Sequence, residues 1–390
     1  VEIHHYLQPA KRHWIKYPGI SLEDSLGNSM TFFNGEAKWF EEEQIDIAIL
    51  GVCEARNSYF PKAEKAPGLI RKWLYGMRCV SSGARIADIG DVKGNTLNDR
   101  YMALRDVVEL LVEKNILVLL IGGTHDLTWA ASHFIKKING RSNIALVDAF
   151  LDVETEEDDF SASSFLKKLI EDLKGKIDDL TVMGTQLYYC STEQERQMKN
   201  WNYRIIRLKD LRRNRIDHCE VVLRNATMLS FDFSALKGQP GLPGSVLMPN
   251  GFSNEEACRI FWYAGASDLI MLAALFNVQP FEQNENSVPL SAQMLWHFLE
   301  GQSTRCGDYP VRSVEGYELK IVYLQQYEEN LKFYHNSEND RWWITVTDNS
   351  GEKIVPCHRD DYDLALRKEI PDVWWHHFFK TKANKELTKR

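Results

Sequence analysis

Short apolar runs of strand length alternate with helix-patterned stretches along most of this chain, and three of those runs stop at a loop bearing carboxylates or a histidine. Residues 45–52, 116–121, 144–147, 180–183, 204–208, 228–231 and 269–276 read as buried strands. Alternation of this kind implies a parallel sheet, because parallel neighbours need a crossover between them. Between the first two runs, residues 104–115 place apolar side chains at 104, 107, 108, 111 and 112, the spacing of one helical face. Ser253 with Glu256 three residues on has the form of a capping box, which predicts a helix to about Ala264, and residues 291–300 predict another. The expected fold class is therefore α/β.

The loops at the strand ends carry the chemistry. Residues 122–126 read GGTHD, residues 148–152 read DAFLD and residues 230–234 read SFDFS. In an open α/β sheet such loops share the carboxyl edge, where ligands collect. His125, Asp148, Asp152 and Asp232 would then form an oxygen-rich set with one imidazole, suited to a hard divalent cation. Taken singly, each residue has a plainer explanation, as a loop cap or a buried histidine. Taken together they predict a shared polar pocket, in which acidic groups without a cation would repel and rise in pKa. The Gly122-Gly123 pair lacks the Lys-Ser or Lys-Thr of a phosphate loop and predicts close backbone passage instead.

Composition excludes several classes. The chain has 390 residues and a net charge of −8, with basic residues dispersed, which argues against nucleic acid as a partner. No stretch of about 18 apolar residues is present, so no membrane span is expected, and the opening residues lack the pattern of a signal peptide. A cytoplasmic location is the expectation. The seven cysteines are scattered with no Cys-x-x-Cys pair, which predicts free thiols and no zinc-thiolate site. The His4-His5 and His376-His377 pairs predict surface positions. Beyond about residue 301 the texture changes to short alternating pieces, residues 320–324, 331–334 and 342–347, joined by polar turns. That pattern predicts a small antiparallel, β-rich extension. Its aromatics, including Trp342, Trp343, Trp374, Trp375, Phe378 and Phe379, predict either a clamp onto the main domain or an interaction surface. The expected division is 1–40 as an N-terminal extension, 41–304 as the α/β domain and 305–390 as the aromatic-rich extension packed on it.

The three loop segments resemble the GGDHS, DAHxD and SFDxD motifs of the arginase, agmatinase and formimidoylglutamase (ureohydrolase) family. Residues 45–56, 66–71, 88–91 and 248–253 are similar to family text in the same order, so the likeness spans about residues 40 to 300. The stretch 249–252 (PNGF), Trp342-Trp343 and residues 369–375 resemble a divergent, formimidoylglutamase-like branch from Bacteroidota. The resemblance implies an arginase-like three-layer α/β/α fold with a mostly parallel central sheet. It also implies manganese, a small nitrogenous substrate and assembly into homo-oligomers.

Carried over one position at a time, the resemblance implies one metal position held by His125, Asp148, Asp152 and Asp232. The second position is degraded, because Phe150 stands where the family has a histidine and Ser234 where it has an aspartate. Asn277 replaces the glutamate that pairs with a cationic substrate, unless a shifted alignment brings Glu282 there. Thr124, Asp126 and Glu154, the last in an acidic run over residues 154–159, are expected at the pocket rim. No catalytic acid or base is assigned. Two functions follow: a pseudoenzyme that binds a small nitrogenous ligand or a protein partner, slightly favoured, and a one-metal C–N hydrolase of linear amidines. The cofactor is correspondingly one manganese ion or none.

Overall fold

Strands form where the apolar runs lie, in a computed structural model that describes residues 2–378 except 82, 154–159, 213–214, 243–245, 281–285, 311–312 and 349–350. Contacts divide the chain into two units, Val1–Arg305 and Cys306–Arg390. In the first unit the strands are β1 (Leu7–Gln8), β2 (Thr31–Phe32), β3 (Ile47–Gly51), β4 (Ile86–Val92), β5 (Leu117–Ile121), β6 (Ser142–Val147), β7 (Ile177–Thr185), β8 (Arg204–Arg207), β9 (Met228–Asp232), the short hairpin β10 (Pro240–Leu242) and β11 (Val246–Leu247), and β12 (Leu272–Phe276). The main sheet runs β1-β4-β3-β5-β12-β9-β6-β7-β8, with β2 also on β4, and every pairing except β1 with β4 is parallel.

Successive residues of each strand feed opposite layers. On β5, Leu117, Leu119 and Ile121 join a core with Ile70, Leu74, Phe261 and Phe298, while Val118 and Leu120 join another with Leu104, Val108, Leu111 and Leu169. The helices Ala66–Leu74, Asn254–Gly265 and Ser287–Gln302 cover the first face, and Leu97–Glu113 and Phe165–Asp172 the second. Burying each such aliphatic side chain contributes about 2 kcal/mol before entropy is subtracted. The predicted capping box at Ser253 and Glu256 is present, and Thr96 with Asp99 caps the helix that the periodicity placed several residues too late.

One central strand escaped the apolar pattern. β4 reads IADIGDV, and Asp88 is buried within it. Burial of that carboxylate is compensated by Arg71, whose Nε lies 2.9 Å from Asp88 Oδ2 and whose Nη1 lies 2.5 Å from Asp91 Oδ1, and by the Tyr75 hydroxyl, which donates to Asp88. A charge inside a strand is tolerable only with such partners, and those partners come from a helix, not from the strand's own sequence.

In the second unit, β13 (Glu318–Leu324), β14 (Glu329–Asn336), β15 (Arg341–Asp348) and β16 (Gly351–Cys357) form an antiparallel meander, of which β16 was not anticipated. Val322, Leu331, Phe333, Trp342, Ile344 and Val355 make its core, with Tyr362 and Trp374 packed against them. Trp342 stacks on Tyr362 at 4.9 Å, so this tryptophan builds the unit's own interior.

Asp308 ties the start of this unit to a turn. It accepts from the Tyr317 hydroxyl, from Asn336 Nδ2 at 3.1 Å and from Asn339 Nδ2 at 2.6 Å, with Arg341 Nη1 3.5 Å away. Burial opposes its charge, but these donors and the guanidinium prevail and hold its pKa below the usual carboxylate range. The resulting stabilisation is fully present above the unfolded pKa and fades as pH falls through the lower folded value. Asp308→Ala is expected to cost about 3 kcal/mol near neutral pH and much less in acid, read by urea unfolding at several pH values. An equal cost at every pH would show that the charge contributes nothing.

Candidate metal centre

Chain order explains why the motif loops meet. β3 and β4 step outward from β5, and β7 and β8 step outward from β6. β9 and β12 then return to fill the gap between β5 and β6. The four central strands β5, β12, β9 and β6 thus end side by side, with Ile121 beside Leu275, Phe276 beside Asp232, and Phe231 beside Val147. This is the switch point where open α/β sheets bind ligands. Two glycines let the β5 loop come close: a Cβ on Gly123 would strike the Glu54 backbone, and one on Gly122 would strike the Phe276 ring.

His125, Asp148, Asp152 and Asp232 converge there. One ligand atom from each lies within 4.8 Å of every other. His125 Nδ1 is 3.1 Å from Asp148 Oδ2 and 3.3 Å from both Asp152 Oδ2 and Asp232 Oδ2. On the far side of the ring, Nε2 lies 3.1 Å from Ser230 Oγ, which is 2.7 Å from Thr128 Oγ1. Neither Ser230 nor Thr128 was singled out from sequence, although a polar residue in the middle of β9 was the available sign. Such outer partners fix the orientation of a ligand imidazole.

The electrostatics are those of a site built around positive charge. Burial, then the neighbouring Asp152 and Asp232 charges, push Asp148 well above the ordinary carboxylate range, and burial likewise raises Asp152. Burial disfavours charge on His125, yet the three carboxylates outweigh it and raise its pKa well above that of free imidazole. Nδ1 nonetheless makes no well-directed hydrogen bond to any of them. A buried ring nitrogen facing three oxygens without a directed bond fits a cation held between them, and three carboxylates with one imidazole fit an ion of the manganese class.

The flanking positions differ. Phe150 donates its backbone N–H to Asp148 Oδ1 at 2.9 Å, and its ring lies 5.3 Å from that of Tyr189. Ser234 donates its N–H to Asp232 Oδ1 at 2.7 Å, while its buried hydroxyl has no partner. Asn277 Nδ2 donates to Asp232 Oδ2 at 2.6 Å, and its carbonyl oxygen is buried without one. Asn277 also holds φ at +59°, a backbone state that asparagine tolerates better than most residues. Thr124 and Asp126, on either side of His125, are fully buried, and Asp126 accepts from the Tyr101 hydroxyl. Glu154 and Glu282 lie outside the described residues.

A neighbouring loop was missed from sequence. Glu54 is buried after β3 and accepts from the Ala55 and Arg56 N–H groups at 3.0 and 2.9 Å, from Arg56 Nε at 2.8 Å and from Arg100 Nη1 at 3.2 Å. Asn57 Nδ2 then donates to the Phe160 carbonyl at 2.8 Å, joining this loop to the one that follows Asp152.

A family profile described as Arginase family matches residues 45–300, which takes in every one of these motif loops. The chain belongs to the arginase family. A guanidinobutyrase of Pseudomonas aeruginosa is 24% identical over 304 residues, 70% of this chain and 94% of that protein. A formimidoylglutamase of Staphylococcus epidermidis is 26% identical over 141 residues, 34% of this arginase-family chain and only 45% of that enzyme's length. Among solved structures, Bacillus subtilis formimidoylglutamase superposes with a TM-score of 0.63 at 18% identity, covering 75% of this chain and 95% of that one. Trypanosoma cruzi formiminoglutamase, solved with Mn2+, gives 0.61 at 21% identity, covering 67% and 95%. At such identities the structural likeness establishes the arginase fold. Among the described residues no helix is long and apolar enough to cross a membrane, and all seven cysteines are free.

Proposed function

We propose that this arginase-family protein holds a single manganese-class cation at His125, Asp148, Asp152 and Asp232, lacks the second ion of a dinuclear centre, and binds a small nitrogenous ligand instead of hydrolysing it efficiently. The observation that carries this reading is the contrast between two adjoining positions. Three buried ligand side chains and the partly buried Asp152 converge on one point, whereas the phenyl of Phe150 and the hydroxyl of Ser234 offer the neighbouring point no imidazole and no carboxylate.

The chain's own donors do part of what a second ion would do. Backbone N–H groups of Phe150 and Ser234 donate to the outer Oδ1 oxygens of Asp148 and Asp232, and the Asn277 amide donates to Asp232 Oδ2, the oxygen that faces His125. Three neutral donors offset part of the carboxylate charge, but they supply no second electrophile. A bound cation would act as a Lewis acid toward a carbonyl or amidine that touches it. Asn277 offers a ligand a neutral carbonyl oxygen, an acceptor for N–H groups that brings no charge to match a guanidinium. Completeness of the one-cation set favours a second reading, a hydrolase of linear amidines working with one metal.

Elemental analysis of protein dialysed against manganese, paired with assays for urea and formamide release from guanidino and formimino compounds, separates the two. One ion per chain without turnover is the expected result. Sustained release of either product would replace the binding reading with the hydrolase one, and two ions per chain would defeat both.

A further inference from the structure

β13 leaves one apolar stripe uncovered. Val322 and Leu324 enter the core of the second unit, while the alternate residues Leu319, Ile321 and Tyr323 point the other way and are 51, 58 and 50% exposed. The strand is also terminal in its sheet. It pairs with β14 continuously from Glu318 to Leu324, and among the described residues no strand pairs with its other side.

The opposite edge is guarded and this one is not. β16 carries Pro356, which has no N–H, together with Glu352 and Lys353, and proline and charge are the usual protection of an open edge. On β13 the two charges, Glu318 and Lys320, lie on the core-side face and bond to each other at 2.9 Å. Lys368 Nζ donates to the Tyr323 carbonyl at 3.2 Å near the strand's end, leaving the centre around Ile321 without such a guard.

We propose that β13 pairs antiparallel with β13 of a second copy of this chain, about a two-fold axis at Ile321, joining two four-stranded sheets into one. Residues opposed across an antiparallel pair must face the same side. Centred on Ile321, this pairing sets Ile321 against the partner's Ile321 and Leu319 against the partner's Tyr323 on the exposed face. It sets Lys320 against the partner's Val322 and Glu318 against the partner's Leu324 on the other, so no like charges meet. The stripe is apolar in both directions from its centre, so the strand is its own complement, and a two-fold pair of this kind closes without further growth. Three half-exposed side chains bring on the order of 300 Å² per copy, well short of the ~800 Å² of a standard interface. The association is accordingly weak and concentration-dependent.

Sedimentation velocity of the full chain over a dilution series reads this directly. A reversible association step is expected, weakened at least about tenfold by Ile321→Lys and by Leu319→Lys. Leu366→Lys, an equally exposed change on the helix Arg359–Leu366, is expected to leave it intact. Hydrogen exchange on the unmodified chain provides a check that does not rely on any variant, with amides of residues 318–324 slowing as concentration rises. The proposal is overturned if the chain shows no association step, if the step survives both substitutions, or if exchange at β13 is independent of concentration. An edge that captures a different protein without self-association overturns it equally.

Discussion

Phe150→His combined with Ser234→Asp is expected to double the manganese bound per chain, from one ion to two. The backbone needed for a second position is already in place, since the Phe150 and Ser234 N–H groups hold Asp148 Oδ1 and Asp232 Oδ1 at 2.9 and 2.7 Å. The substitutions add an imidazole and a carboxylate next to those shared aspartates, the donors that a divalent ion takes in an oxygen- and nitrogen-rich site. Those same N–H groups already occupy the two Oδ1 oxygens that a second ion would share, so the new ion should bind more weakly than the first. Isothermal titration with manganese resolves the two events. A folded double variant that still takes one ion would mean that Phe150 and Ser234 do not border a second metal position.

His125→Ala is expected to abolish manganese binding at concentrations that saturate the unmodified chain. Ser230→Ala, which removes only the hydroxyl 3.1 Å from His125 Nε2, should cost a roughly 10–100-fold loss in affinity, as loss of an outer partner does. Thermal unfolding gives a second readout. A ligand at a hundred times its Kd stabilises the folded state by about 2.7 kcal/mol, a gain the alanine variant at 125 should no longer show on adding manganese. Removing the imidazole also leaves Asp148, Asp152 and Asp232 facing one another, so the variant should be less stable even without metal. Unchanged affinity in His125→Ala would separate the four-residue cluster from metal binding altogether.

Much of the fold was legible because parallel strands buried on both faces read as unbroken apolar runs. β3, β5, β6, β9 and β12 all show this, and all of them border or approach the site. β4 did not, since Asp88 and Asp91 interrupt it and are made tolerable by Arg71 and Tyr75 from a helix nearby in space. β16 was obscured by Pro356 and by the charges that suit an edge strand. At the site, the four converging residues were visible as strand-end side chains of metal-binding type. Ser230 and Thr128 were not, because a polar residue within β9 was the one sign of Ser230, and the Thr128 hydroxyl, inside a helix, has no signature until its partner is known. Glu54 was hidden for the same reason, its guanidinium partners Arg56 and Arg100 being 2 and 46 residues away.

Residue identity alone settled which chemical groups are available at the strand ends: one imidazole, three carboxylates, a phenyl and a hydroxyl. Side-chain chemistry is local, so no fold was needed to know it. Only the tertiary structure decided that strands far apart in the chain end beside one another and point those groups at a common centre. That outcome depends on β9 and β12 inserting between β5 and β6, a long-range order that the local apolar pattern does not encode.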